Sequence, residues 1–184
     1  MRLTRMVVLV LTLMTSATAA FGDQAKPGPL AVGDPFPRLD GSFLTGRKAV
    51  LPDVAAGKFA LLMMGFTYDS RYQVEAWSEA FRHEFGANPA ATFYQVPVLG
   101  GMARMGRWFI DSGMRRGTPK ELHENVITVY GGAGDWKKVM GFEEAHKNEA
   151  YLALLDPEGR VRWLHRGALG EEAMAEVRAV IDGR

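Results

Sequence analysis

Between Phe59 and Phe66 the chain reads FALLMMGF, a run that no polar side chain interrupts and that is entered from Ala56-Gly57-Lys58. Its length and lack of alternation fit a strand covered on both faces, with a buried helix as the competing reading. From Arg71 onward the period changes. Val74, Trp77, Phe81 and Phe85 recur at helical spacing while Glu75, Ser78, Glu79 and Arg82 take the opposite face, the mark of an amphipathic helix. Thr92 to Leu99 reads as the next strand, and Met102, Met105, Trp108 and Phe109 then form a helical stripe with Arg104 and Arg107 outside it. That spacing predicts core packing for the stripe. Thr118-Pro119-Lys120-Glu121 has the spacing of a capping box with a proline in the first turn, so a short helix is expected there. Asn125 to Tyr130 is β-branched and strand-like, and a glycine-rich GGAG leads into a helical turn over Asp135 to Met140, closed by Gly141. Tyr151 to Leu155 and Val161 to Leu164 flank Asp156-Pro157-Glu158-Gly159, a hairpin signal, and Met174, Val177 and Ile181 mark a last helix with Glu171 and Glu172 in its first turn. The pattern predicts an α/β sandwich whose sheet ends in an antiparallel hairpin and a helix.

The beginning of the chain follows a different rule. Arg2 and Arg5, the apolar run Met6 to Met14, and Ala17-Thr18-Ala19 stand in the charged, apolar and small-residue order of a secretory signal peptide. The expected division is a signal over 1–19, an extended leader over 20–45 and one domain over 46–184. Phe21 to Pro37, rich in Gly and Pro and without period, suggests the leader. No later segment is long and apolar enough to span a bilayer, so the expectation is a soluble periplasmic or secreted protein. Without Arg2 and Arg5, Lys plus Arg falls from 22 to 20 against 21 acidic residues, and the formal charge changes from +1 to −1. A near-neutral domain lacks the broad basic footprint of a nucleic-acid binder.

The chain has no cysteine. Disulfides, thiol catalysis and cysteine metal sites are therefore closed to it. His83, His123, His146 and His165 show no metal-ligand spacing, and no G-x-S-x-G elbow supports a hydrolase built from Ser70, His146 and Asp69. The glycine clusters lack nucleotide-binding spacing. Neither a catalytic residue nor a metal or other cofactor is expected. Met63, Met64, Met102 and Met105 are soft donors that copper would accept, but their spacing predicts packing. The loop GFTYDSRYQV, Gly65 to Val74, is the remaining point of interest. Asp69 and Ser70 suit a cap on the following helix, or a cation or a partner's backbone. Tyr68 and Tyr72 suit either packing or an exposed contact surface. Arg104, Arg107, Arg115, Arg116 and Lys120 form the densest basic stretch, readable as a solvated face or as docking to an acidic partner or anionic headgroups. Arg162 and Trp163 are neighbours on a strand, so one faces inward and the other outward.

From about Val32 to Arg184 this order of elements, with YLALLDPEGRVRW as its hairpin, resembles the thioredoxin superfamily, which implies a three-layer α/β/α sandwich with a mixed central sheet. In the redox members of that superfamily the loop after the FALLMMGF strand carries a nucleophilic cysteine and a cis-proline commonly precedes the hairpin. Here the loop holds Asp69, Ser70 and Gln73, and Asn148-Glu149-Ala150 precedes Tyr151. Gly65-Phe66-Thr67, with His146 five residues before Tyr151, is similar to the copper-delivery proteins of cytochrome oxidase assembly, but that family's cysteines would fall on Asp69 and Gln73. QVEAWSEAF, RWFIDSGMRRGTPKELHENVITVYG and EAYLALLDPEGRVRWLHRGALGEEAM are similar to the assembly-factor family of mitochondrial ATP synthase, Arg162, Trp163 and Gly167 being the most distinctive positions. That resemblance implies a chaperone-like protein rather than an enzyme. The expectation is a binding protein for an envelope client that presents Tyr68, Asp69, Arg71, Tyr72 and Gln73 with His146, and Arg104, Arg107, Arg115, Arg116, Arg162 and Trp163 as further contacts. The alternative is a metal-handling protein or cysteine-independent enzyme on the same scaffold.

Overall fold

The computed structural model describes residues 28–100, 103 and 105–183. The signal expected over 1–19 and the first part of the expected leader lie outside these residues, as do Met102 and Arg104. Seven strands, β1 (Leu39–Phe43), β2 (Lys48–Leu51), β3 (Phe59–Gly65), β4 (Ala91–Leu99), β5 (Ile127–Tyr130), β6 (Tyr151–Leu155) and β7 (Val161–Arg166), form one sheet in the order β2-β1-β5-β4-β3-β6-β7. The central β5, β4 and β3 are parallel. Antiparallel pairs flank them on both sides. Four helices complete the fold: α1 (Arg71–Phe85), α2 (Arg107–Gly117), α3 (Ala133–Val139) and α4 (Glu171–Asp182). None of the helices in the described residues is long and apolar enough to cross a membrane.

The uninterrupted apolar run of β3 is explained by a core on each face. Leu61 and Met63 pack with Leu152, Leu154, Trp77 and Phe81 under α1 and α4. Ala60, Leu62 and Met64 face the other way, into a core with Leu39, Phe43, Ile127 and Tyr151 against which Trp136 and Met140, in and just after α3, pack. Because successive strand residues point to opposite faces, each layer takes alternate residues of the same run. Burying a side chain such as Leu61 or Met63 contributes roughly 1.5–3 kcal/mol. The mixed sheet between helical layers is the three-layer sandwich expected. At the hairpin, Asp156 Oδ1 accepts the Arg160 N–H at 2.8 Å and the Glu158 N–H at 3.1 Å, while Gly159 supplies the left-handed backbone at φ +79°.

Two expectations are corrected. The leader does not stay outside the domain through residue 45: β1 pairs with both β2 and β5, Pro35 bridges Arg160, and Phe36, Leu39 and Phe43 are buried. Only Leu39 and Phe43 of LDGSF face the core, too sparse an alternation to stand out beside the Gly and Pro that precede it. The second correction concerns α2. Met105, Trp108 and Phe109 are 94%, 79% and 70% exposed, so these positions do not pack. The stripe that anchors the helix is polar instead. Asp111 is buried and accepts from the Tyr130 hydroxyl at 2.6 Å, Arg107 donates to Ser42 Oγ at 2.9 Å, and Arg115 donates to the Leu44 carbonyl at 2.5 Å. Thr118, expected to open a helix, instead ends α2, and a single 3-10 turn, Lys120–Leu122, follows.

Candidate functional site at the carboxyl end of the parallel strands

β3 ends at Gly65, in register with Pro97 of β4, and the chain turns through Phe66 to Ser70 into α1. The turn is closed by two hydroxyl residues three positions apart. Ser70 is fully buried, and its hydroxyl donates to the Thr67 carbonyl at 2.7 Å. The Ser70 N–H donates to Thr67 Oγ1 at 3.2 Å, and the Thr67 N–H reaches Ser70 Oγ at 3.4 Å. The seat is tight, since a Cβ on Gly65 would lie 2.6 Å from Ser70 Oγ. Ser70 stands at the cap position without a side-chain bond to the helix, which corrects the capping expectation: its oxygen is turned backward. A hydroxyl so committed is not free to act as a nucleophile.

Two contacts tie this turn to the segment before β6. The Thr67 hydroxyl lies 2.9 Å from Asn148 Oδ1 and 3.2 Å from the Lys147 carbonyl. Gln73 Oε1 accepts the N–H of the buried Ala150 at 2.9 Å. The first loop and the pre-hairpin segment therefore meet, through Thr67 and Gln73. Among the described residues the one cis peptide is Leu51–Pro52, far in sequence from that segment.

Outside this seam, Tyr68 and Tyr72 are 71% and 58% exposed. Arg71 lies between them, its guanidinium carbon 3.9 Å from the Tyr68 ring centre and 4.6 Å from that of Tyr72. It donates to both phenol oxygens, at 2.8 Å to Tyr72. Charge over two aromatic faces is attractive, and the Tyr72 hydrogen bond raises the already high Arg71 pKa. Arg71 Nε is screened from water with no hydrogen-bond partner. Asp69 is exposed beside this clamp.

His146 is engaged elsewhere. Its Nδ1 is 2.9 Å from Glu149 Oε1 and its Nε2 3.9 Å from Glu143 Oε2. Arg166 joins the same carboxylates, at 2.6 Å to Glu143 and 3.5 Å to Glu149. The Arg166 hydrogen bond holds the Glu143 carboxyl below the usual range. Among the described residues no hydrogen bond or ion pair links His146 to Tyr68, Asp69, Arg71 or Tyr72, and no group of three or more His, Asp or Glu side chains is arranged to hold a metal ion. A hollow of about 240 Å³ opens between Leu30, Met140, Tyr151 and Arg166, below the roughly 300 Å³ at which small-molecule sites begin.

The remaining candidates separate cleanly. Trp163 is 8% exposed, stacks on His165 at 5.2 Å and donates to Glu176 Oε2 at 2.7 Å. It is a core residue, which removes it from the contact surface. Arg162 points outward and reaches Asp156 at 3.5 Å. Arg107 and Arg115 anchor α2, and Arg116 is exposed. The sequence reading missed Thr67, Asn148, Glu143, Glu149 and Arg166. For Thr67 there was a cue, the Thr-x-x-Ser spacing at the helix entry. The charged residues before the hairpin read as a solvated turn and offered none.

No protein-family model matches the chain, and no curated protein matches it in sequence. Solved structures do. A candidate DsbE thiol:disulfide interchange protein from Chlorobium tepidum superposes with a TM-score of 0.56 at 18% identity, over 83% of this chain and 99% of that one. The thioredoxin domain of a thiol-disulfide oxidoreductase from Bacteroides vulgatus gives 0.53 at 18% identity, over 83% and 99%. The fold is thioredoxin-like. A thiol peroxidase from Chromobacterium violaceum, at 0.54 and 15% identity over 84% and 88%, shares it as well.

Proposed function

We propose that this thioredoxin-like chain is an exported, non-redox binding protein that presents the end of the sheet around Tyr68, Asp69, Arg71, Tyr72 and Gln73 to a protein client of the cell envelope, as an assembly or chaperone-like factor. The observation that carries the reading is the clamp. Two tyrosines stand in water, held by one arginine, beside a turn whose two hydroxyls each bond the other residue's backbone. Tyrosine and arginine are enriched among the residues that dominate binding energy at interfaces. The absence of cysteine removes the thiol chemistry that the names of the structural neighbours describe. The chaperone-like role follows the resemblance of QVEAWSEAF and the hairpin stretch to an assembly-factor family. The metal-handling alternative draws no support from Asp69, which is exposed, or from His146, which is bonded to Glu149.

The test is site-specific crosslinking in the native host. A photoreactive side chain in place of Tyr72 should capture a discrete envelope protein, and Tyr68→Ala should abolish that adduct while leaving the thermal unfolding midpoint within a few degrees of the parent. Capture that is unchanged by Tyr68→Ala, or no adduct above that from a residue on α4, overturns the proposal.

A further inference from the structure

Helix α2 is built inside out. Arg107, Asp111 and Arg115, four residues apart, form the stripe that faces the domain, through Ser42, Tyr130 and Leu44. Next to that stripe, and opposite the half-buried Ile110 and Met114, come Trp108, Phe109, Ser112 and Arg116, which at 3.6 residues per turn fall within an arc of about 100°. Met105 precedes them in the turn that leads into the helix. Met105, Trp108 and Phe109, at 94%, 79% and 70% exposure, are the most exposed large apolar side chains from consecutive turns of the described chain.

Charge within α2 runs one way. Its cations are Arg107, Arg115 and Arg116, of which Arg116 lies on the outer arc, and its single carboxylate is Asp111; Lys120 follows in the next turn, beside the exposed Glu121. Asp111 is buried and already bonded to Tyr130 and Arg107, so α2 presents no exposed acid to repel a partner's negative charge. Arg116 and Lys120 are exposed. The outward arc offers Ser112 as its only neutral polar side chain, whereas a protein partner's face carries about one hydrogen bond per 100–200 Å² of contact. Apolar projection, cations and few hydrogen-bonding groups together match a different surface.

We infer that the outer face of α2 docks on an anionic lipid bilayer, with Trp108, Phe109 and Met105 entering the headgroup boundary and Arg116 and Lys120 meeting lipid phosphates. Trp favours that boundary, where its ring is half solvated. Adsorption of such a helix grows with buried apolar area and with attraction to anionic lipid. Each cation near the surface strengthens partitioning about fivefold. Because β4 is parallel to β3, the chain leaves both strands at the same end of the sheet, so the start of α2 and the Tyr68–Tyr72 loop share that end. Docking through α2 stands on its own and does not depend on the proposed client.

The experiment uses the full chain with vesicles of phosphatidylcholine carrying brominated acyl chains, with or without phosphatidylglycerol. The emission of Trp108 is isolated as the difference between the parent and Trp108→Phe. It should be quenched on the phosphatidylglycerol vesicles, and Arg116→Gln with Lys120→Gln should weaken the lipid dependence by more than about tenfold. Trp108 that stays unquenched overturns the inference, including the case in which the chain reaches the vesicle through its apolar N-terminal run. Equal quenching on pure phosphatidylcholine overturns the role of the cations. A dimer in sedimentation that Trp108→Ser dissociates would assign the face to a second copy instead. Circular dichroism of each variant confirms that the fold is intact.

Discussion

Thr67→Cys with Ser70→Cys is the perturbation that asks how tightly the turn ahead of α1 is closed. The two hydroxyls already close one turn, with Ser70 Oγ 2.7 Å from the Thr67 carbonyl and the Ser70 N–H 3.2 Å from Thr67 Oγ1. In a turn of this kind the first and fourth Cα atoms lie within about 7 Å, the upper reach of a disulfide. Gly65, lacking a Cβ, leaves the space beside Ser70 that a sulfur needs. A bridge closing a four-residue loop stabilises the folded chain by about 2 kcal/mol on the chain-entropy estimate. For a domain of this size that is roughly 4–8 °C in unfolding midpoint. Thr67 is half-buried and Ser70 fully buried, so the thiol at 67 is the one a substrate would meet, while the thiol at 70 stands at the helix start, where a thiolate is favoured. The assay is thermal unfolding with and without dithiothreitol, thiol counting, and insulin reduction by the reduced variant. The expected result is no free thiol before reduction, a midpoint that drops on reduction, and insulin turnover that the parent lacks. Two free thiols after oxidation, or a midpoint indifferent to dithiothreitol, would refute the reading that the Thr67–Ser70 turn is tight enough to be bridged.

Gln73→Ala removes the acceptor for the buried Ala150 N–H and should cost about 1–3 kcal/mol in urea unfolding, whereas Gln73→Glu, which keeps an acceptor, should cost less. Gly65→Ala drives a Cβ against Ser70 Oγ, so it should be destabilising alone and partly rescued by Ser70→Ala, a coupling of roughly 0.5–3 kcal/mol in a double-mutant cycle. Arg166 depresses Glu143, and Arg47 with Thr45 depresses Glu124. A depressed carboxyl stabilises the fold above its unfolded pKa and loses that contribution as pH falls through the folded value, so stability should decline below about pH 4.3. Glu143→Gln should flatten that decline, and a pH series of denaturant midpoints that is identical in the two proteins would contradict it.

The fold was legible where one rule decided the outcome. FALLMMGF is too short and too uniformly apolar for most other readings, with a buried helix its one competitor, and the Asp156–Gly159 turn set the hairpin. α2 was misread because period alone cannot tell which side of a helix is wet. The buried anchor is Asp111 with Tyr130, a pair separated by 19 residues, and nothing local announces it. β1 was missed for a related reason: two inward residues in five, after a Gly- and Pro-rich segment, give almost no alternation. At the site, the Tyr68, Arg71 and Tyr72 cluster was visible as a group, but its clamp geometry was not. His146 was placed by position, and its carboxylate partners Glu143 and Glu149 were left out because residues around a hairpin entry read as solvent-facing.

The arginine between Tyr68 and Tyr72 also bears on time. Side chains that are free in the unbound protein must be frozen at each encounter, at roughly 0.5–1.5 kcal/mol apiece. Here the rings are held by cation-π contact and by hydrogen bonds to both phenols before any partner arrives. Such rigidity changes the lifetime of a complex more than its rate of formation, since differences among related interfaces fall mostly in dissociation. Loosening Arg71 would therefore shorten residence without slowing encounter. If the proposed client binding holds, that one guanidinium is a place where evolution can set how long a partner stays bound.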